Sequence, residues 1–181
     1  MTSHPWIVLV SSMVALASSA HGQEGQPQRD PAPSQSAQPS RSNEGKPGAV
    51  RPYTTNLFRV TEDNDDFRRV LFTGTRSQLV AMSIPPGESI GTEKHGHVEQ
   101  MIVVLSGSGE TALDGKKRKV GAGDVIVVTP GTTHDLLNTG KTQLKVFTTY
   151  VPPNHIDGRV HRTKADAARD VEDERFGQKV K

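Results

Sequence analysis

The feature that most constrains the fold is a succession of short apolar or alternating runs, each followed closely by residues that form turns. Eight such runs can be counted: Phe67–Phe72, Gln78–Ile84, Met101–Leu105, Glu110–Leu113, Lys117–Val120, Val125–Val128, Asp135–Leu137 and Leu144–Val151. Gly, Pro, Asn or Asp follows every run. Many short strands with closely spaced turn residues are typical of all-β domains. We therefore predict a small all-β barrel or sandwich.

Two local signals define the turns and the end of this domain. Asp114-Gly115, between Leu113 and Lys116, predicts a tight β-hairpin because these residues tolerate the positive φ that such a turn needs. Near the C-terminus, Thr163 is a candidate N-cap, with Asp166 three residues later. The Ala-rich, highly charged sequence that follows predicts a helix over about 164–175, which is too polar for a core helix.

The first 52 residues do not share the strand pattern. Trp6–Ala17 is apolar and uncharged, and small residues follow it, which predicts a signal peptide over 1–22 and export to the periplasm or beyond, without stable membrane insertion afterwards. The alternatives are a misassigned start codon or a weak membrane anchor. Residues 23–52 hold six of the twelve prolines and no apolar periodicity, so we predict a disordered Pro/Gln/Ser-rich linker. The barrel is predicted over 53–155, and a C-terminal extension over 156–181.

Composition excludes several classes of function. The chain contains no cysteine, which excludes thiolate nucleophiles, iron–sulfur clusters and cysteine-type zinc sites. The four basic residues at 116–119 lie at the predicted hairpin, where a solvated turn is the simplest interpretation. With one Trp, two Tyr and five Phe, and no interleaving of aromatic and basic residues, nucleic acid is not an expected partner.

Three histidines indicate a metal site. His95 and His97 are two residues apart, and such residues in an extended chain point to the same side. His134 comes from a later strand and can close on them if the intervening chain folds back. Neutral imidazoles that converge beside an amide or a carboxylate are ligands that divalent transition metals accept. The remaining histidines are interpreted as solvated or hydrogen-bonded.

The spacing of these residues resembles a known superfamily. His95-Gly96-His97-Val98-Glu99-Gln100, with Gly107 beyond, is similar to the first motif of the cupins. Gly123-Asp124, Pro130-Gly131 and His134, with Asn138 beyond, are similar to the second. The resemblance covers roughly 53–153 and is closest to small single-domain cupins of type 2, the mannose-6-phosphate isomerase-like branch. It implies a double-stranded β-helix (jelly-roll) barrel with the charged helix at its C-terminus. It does not establish an isomerase activity.

The first motif departs from the cupin pattern in one respect. Three or four residues normally separate the second histidine from a glutamate, whereas Glu99 follows His97 after one residue and Gln100 after two. Counting back from Gly107 places Gln100 where the acidic ligand of the family lies. Neighbouring strand residues face opposite ways, so only one of the two is expected to reach the metal. We take Gln100 as the ligand and leave Glu99 as the alternative.

The resemblance therefore implies a set of four ligands and an open position for water or substrate. The predicted ligands are His95, His97, Gln100 and His134, and the metal is a divalent transition ion: Mn, Fe, Zn, Ni or Cu.

Our functional hypothesis is an exported barrel that binds one such ion. It would act on a small oxygen-rich molecule, either a sugar derivative or an organic acid. Glu99 would serve as the base of an isomerase or lyase if it turned inward, and a redox-active metal would open dioxygenase chemistry instead. Two alternatives remain: a non-catalytic module that binds a small ligand or a metal, and a structural homodimer with a vestigial site whose barrels pair through edge strands.

Overall fold

The computed structural model of the chain describes residues 52–179. In chain order its elements are α1 (Leu57–Glu62), β1 (Arg68–Thr73), β2 (Gln78–Ile84), β3 (Glu93–Lys94), β4 (Glu99–Ser106), β5 (Ser108–Leu113), β6 (Lys116–Gly121), β7 (Val125–Val128), β8 (Thr133–Asn138), β9 (Leu144–Val151), β10 (Val160–His161), α2 (Lys164–Arg169) and α3 (Val171–Lys179). The predicted signal peptide over 1–22 and all but the last residue of the predicted linker over 23–52 lie outside the described residues. Both remain predictions, as does export.

The strands form two antiparallel sheets. The larger sheet has the strand order β10-β1-β2-β9-β4-β7, and the smaller has the order β3-β8-β5-β6. Buried apolar side chains from both sheets form one core cluster, which includes Ile84, Val104 and Val146 from the larger sheet and Val120 and Leu136 from the smaller. The prediction of an all-β jelly-roll barrel, the double-stranded β-helix, with helical structure at the C-terminus is confirmed.

Strand alternation determines which side chains enter the barrel. Along β4, Gln100, Ile102 and Val104 are buried, whereas the flanking Glu99 and Met101 are exposed. Along β8, the buried positions are His134, Leu136 and Asn138. Because side chains alternate between the two faces of a strand, these sequences can bury an apolar series only by also burying the polar residue that shares its face. Gln100 and His134 are carried into the interior in this way.

The predicted hairpin at Asp114-Gly115 is confirmed. Leu113 pairs with Lys116, and the two residues between them have φ values of +45° and +78°. Two successive positive φ values are characteristic of the tight turn that matches the twist of antiparallel strands.

The C-terminal extension packs onto the β1 side of the larger sheet. The short strand β10 pairs with β1, and Thr163 caps α2 through a capping box with Asp166, as predicted. Where the sequence predicted one helix over about 164–175, the structure has two helices with a break at Asp170. The carboxylate of Asp170 accepts a hydrogen bond from the backbone N–H of Asp173 and contacts His161, so this residue begins a new helix rather than continuing the first. Among residues 52–179, no helix is long and apolar enough to cross a membrane.

Candidate metal centre

Three side chains that can bind a metal ion meet at one end of the smaller sheet. Glu93 on β3 pairs directly with His134 on β8, so their side chains lie on the same face of the ladder. His95 follows Glu93 by two residues and keeps that face, and its carbonyl oxygen accepts a hydrogen bond of 2.7 Å from the backbone N–H of Gly131. The pairing of β3 with the chain around β8 therefore brings together residues that are about 40 positions apart in the sequence.

The distances within this cluster suit a shared cation. Oε2 of Glu93 lies 3.3 Å from Nε2 of His95 and 4.0 Å from Nε2 of His134. The centroids of the two imidazole rings are 5.4 Å apart. One donor atom from each of the three residues can be chosen so that all lie within 4.8 Å of one another. Ligands bound to one transition metal ion at about 2.0–2.2 Å must lie within such a range.

Two imidazole nitrogens face the cluster, one from His95 and one from His134. Among the described residues, Nε2 of His95 and Nε2 of His134 are buried and are assigned no hydrogen bond, although Oε2 of Glu93 lies 3.3 Å from the first of them. Nδ1 of His134 lies 3.3 Å from the carbonyl oxygen of Thr132. That contact requires the ring proton on Nδ1 and leaves a lone pair on Nε2, which is the form a metal accepts.

The electrostatics favour the protonation states that metal binding requires. Burial lowers the pKa of His134 below its usual value, and this effect outweighs the carbonyl of Thr132 and the carboxylate of Glu93, which raise it. Burial raises the pKa of Glu93, but the approach of the His95 ring and the charges of Arg68 and His134 together bring it below its usual value. Near neutral pH the cluster therefore offers a carboxylate and a neutral imidazole, as a divalent cation needs.

Gln100, the amide predicted as a ligand, is buried on the neighbouring sheet. Its side chain is buried, and its amide nitrogen donates a hydrogen bond of 3.0 Å to the hydroxyl of Thr148. Within residues 52–179 the amide oxygen of Gln100 has no hydrogen-bond partner, although it is buried. Gln100 pairs directly with Tyr150 on β9, and the Tyr150 ring lies 6.3 Å from the ring of His95. The unused amide oxygen thus belongs to the same region of the barrel interior as the cluster.

The structure places His97 and Glu99 outside this group. The chain bends at Gly96 and His97, so it is not extended there, and the geometry that would put His95 and His97 on one side is absent. His97 is exposed. Glu99 is also exposed and lies on the face of β4 opposite to Gln100. Of the four ligands predicted from the sequence, the structure brings His95 and His134 together, buries Gln100 nearby and leaves His97 at the surface. The ligand set itself remains a prediction.

Glu93 was missed at the sequence level, although a signal for it was present. If Glu93 occupies the place of the first histidine of the cupin motif and His95 the place of the second, four residues separate His95 from Gln100, and six separate Gln100 from Gly107. Both intervals then fit the family pattern without the departure that arose from pairing His95 with His97. An alignment that begins two residues earlier, at Glu93, is therefore an alternative to the one that begins at His95.

Comparisons with known proteins agree with this fold. A family model described as "Cupin domain" matches residues 80–150. The uncharacterized protein YrkC of Bacillus subtilis is 42% identical over 123 residues, which cover 65% of this chain and 66% of that protein. The crystal structure of BH2720 from Bacillus halodurans is 38% identical, with a TM-score of 0.64, and the match covers 65% of this chain and 94% of that one.

A shorter match concerns a protein with a named ligand. The oxalate-binding protein of Thermotoga maritima is 38% identical over 64 residues, which cover 35% of this chain and 53% of that protein. The chain thus spans just under two thirds of the Bacillus subtilis relative and about half of the Thermotoga maritima relative.

Proposed function

The chain belongs to the cupin family, and on that premise we propose that its barrel binds one divalent transition metal ion and, through it, a small organic acid. The observation that carries this proposal is a set of buried donor atoms that have no hydrogen-bond partner within the described part of the chain: Nε2 of His95, Nε2 of His134 and the amide oxygen of Gln100. With the carboxylate of Glu93 they form a mixed nitrogen and oxygen donor set, which suits the ions named above. Buried polar atoms normally have partners, so three without one in a single region of residues 52–179 are suited to bind an ion.

The charges around the site favour an anionic ligand. Glu93 is the single carboxylate of this donor set, and imidazole and amide ligands bind a metal without adding negative charge. A divalent ion would therefore keep a net positive charge, and the guanidinium of Arg68 lies 3.5 Å from Glu93. An ion in this position would supply Lewis-acid polarisation of a carboxyl or carbonyl oxygen. The side chains of Glu93 and His95 are 26% and 18% exposed, whereas that of His134 is 1% exposed, so the ligand would approach past Glu93 and His95.

Binding is favoured over base-catalysed turnover by the position of Glu99. The base considered at the sequence level lies on the outer face of β4, away from Gln100. The oxalate-binding relative supports a small dicarboxylate as the ligand class; a sugar acid offers the same carboxylate chemistry. We assign this function to an exported protein on the strength of the sequence of residues 1–22 alone.

The test is a metal titration followed by a ligand titration. The full chain, without a polyhistidine tag and stripped by a chelator, should bind one equivalent of Mn²⁺, Zn²⁺ or Ni²⁺ in calorimetry. Oxalate and a sugar acid should then bind to the metal-loaded protein and not to the stripped protein. The His134→Ala variant should bind neither the metal nor the acids. If the chain binds none of these ions stoichiometrically, the metal site is refuted. If oxalate binds equally well without metal, the proposal that the metal mediates acid binding is refuted.

A second candidate function, pairing of two barrels, is supported by a different observation. On the outer faces of β4, β7 and β9, neighbouring apolar side chains are exposed: Met101 by 41%, Val125 by 56%, Val127 by 50% and Val151 by 42%. Met101 pairs directly with Val127, so these side chains form one surface. We propose a second copy of this chain as the occupant, because a mainly apolar surface, which the exposed Glu99 borders beside Val151, is complementary to itself, as a two-fold interface requires. Residues 23–52 contain Val50 as their one large aliphatic residue and offer little apolar surface to cover it.

We expect Val127→Lys to convert a dimer into a monomer, since a pair of ammonium groups would be buried at a two-fold interface. Light scattering after size exclusion, at micromolar concentration, measures the outcome. Val171→Lys is the matched control because Val171 on α3 is 51% exposed and lies on a different surface. A parent chain that is monomeric, or a Val127→Lys variant that stays dimeric, would contradict the proposal.

A further inference from the structure

A buried carboxylate attaches the C-terminal helix to the barrel. Asp173, in the first turn of α3, is 4% exposed. Its two carboxylate oxygens accept hydrogen bonds of 2.8 Å, one from the backbone N–H of Ile156 and one from Nδ1 of His155. Burial raises the pKa of Asp173, but the contacts with His155, Ile156 and Arg68 outweigh it and bring the pKa below its usual value. This carboxylate is therefore ionised near neutral pH.

Arg68 lies between this carboxylate and the metal centre. Its guanidinium places Nη1 3.8 Å from Oδ2 of Asp173 and Nη2 3.5 Å from Oε1 of Glu93. The side chain is 10% exposed, and among the described residues its Nε atom is buried without a hydrogen-bond partner. Both distances exceed those of a charge-assisted hydrogen bond, about 2.7–2.9 Å. The guanidinium is thus shared between two carboxylates and is closely bound to neither.

A series of ring contacts also leads from the neighbourhood of Asp173 to the metal centre. The ring of His155 packs edge-on against Tyr150 with 5.0 Å between centroids, and Tyr150 packs edge-on against His95 at 6.3 Å. Asp173 is therefore connected to Glu93 through one buried side chain, Arg68, and to His95 through two in succession, His155 and Tyr150.

From this arrangement we propose that Asp173 is a positioning residue of the metal centre, which holds Arg68 back from Glu93 so that the Glu93 carboxylate remains available to the cation. The proposal rests on the metal site of the proposed function. Arg68 has two carboxylate neighbours. If Asp173 were neutral, Glu93 would be the only anionic partner left to it among these contacts, and the guanidinium would close on the oxygen that the metal needs. Its uncompensated charge would also repel a cation at the site.

The Asp173→Asn variant tests this. The substitution keeps the size of the side chain and removes its charge. We expect the full chain carrying it to bind Mn²⁺ or Zn²⁺ about tenfold more weakly than the parent chain, in the range found when groups behind metal ligands are changed. Glu172→Gln is the matched control, since the neighbouring Glu172 pairs with Arg159 at the surface and does not contact Arg68. It should bind metal as the parent does. Thermal unfolding of each variant establishes that it is folded.

The double variant Arg68→Gln/Asp173→Asn separates this role from simple docking of α3. Without the competing guanidinium, its metal affinity should return towards that of the parent, whereas a loss caused by undocking of the helix would persist. Should Asp173→Asn fail to fold, Arg68→Gln alone provides the test: it should bind metal at least as tightly as the parent, and weaker binding would overturn the proposal. If the parent binds metal and Asp173→Asn binds it equally well, this inference fails alone. A parent that binds no metal refutes the proposed function and this inference together.

Discussion

Replacing Glu93 by glutamine is expected to weaken metal binding by roughly 100-fold or more, because changes behind the ligands alone cost about 10–100-fold and this change removes the charge of a ligand itself. Glutamine has the same shape, so the pairing of Glu93 with His134 on β8 should remain. His97→Ala should change the affinity by no more than about twofold, as is usual for a surface substitution. Competition with a chromophoric chelator for Mn²⁺ or Zn²⁺ measures the dissociation constant of the metal for each variant.

The pair of variants decides between two alignments of the first motif. If Glu93 and His95 are the first two ligands, Glu93→Gln should weaken metal binding and His97→Ala should leave it nearly unchanged. If the set predicted from the sequence is right, with His95 and His97 as the first two, the outcomes are reversed. A result in which His97→Ala abolishes binding and Glu93→Gln does not would mean that the chain around Gly96 rearranges when it binds a metal.

The fold could be predicted because its determinants are local. The alternation along β4 and the turn residues Asp114-Gly115 act within a few positions, and the structure places both where the sequence pattern indicates. The helix cap at Thr163 is equally local. The break at Asp170 was not predictable in the same way, because it depends on contacts of Asp170 with His161 and Arg159, which the fold of the extension brings together.

The site was harder to predict for two reasons. The expectation for His97 assumed that the chain is extended from 95 to 97. Side chains alternate regularly only along an extended strand, and the chain bends at Gly96-His97. Glu93 was overlooked because the first motif was aligned on His95 and His97, and the pairing of Glu93 with His134 across the ladder is visible only in the structure.

The contact between Arg68 and Asp173 could not be predicted from local sequence patterns. Arg68 and Asp173 are 105 positions apart by their residue numbers, and they meet because α3 docks beside β1 through His155. No spacing in the sequence indicates that these two residues are neighbours.

The motif glycine at position 107 provides the largest expected effect on stability. Its φ is +89°, and a Cβ atom added there would lie 2.8 Å from the carbonyl oxygen of Gln143 and 3.0 Å from Cα of Leu144. Both contacts are with backbone, at the start of β9, where Leu144 is fully buried in the core. Gly107 joins β4 to β5, so the chain passes from the larger sheet to the smaller one beside the start of β9, where only a hydrogen atom fits.

Gly107→Ala should therefore cost more than the conformational strain alone. Gly123 is the matched comparison: its φ is +92°, and a Cβ atom there would have nothing within 4 Å. We expect Gly123→Ala to lower the free energy of unfolding by about 1–2 kcal/mol, the usual penalty of a left-handed conformation with a Cβ atom. Gly107→Ala should lower it by a further 1–3 kcal/mol or so, the typical cost of overpacking. Urea denaturation of the two variants and the parent measures both values. Equal losses would mean that the start of β9 can move aside, and then the close approach of β9 to Gly107 would not be what requires glycine in the motif.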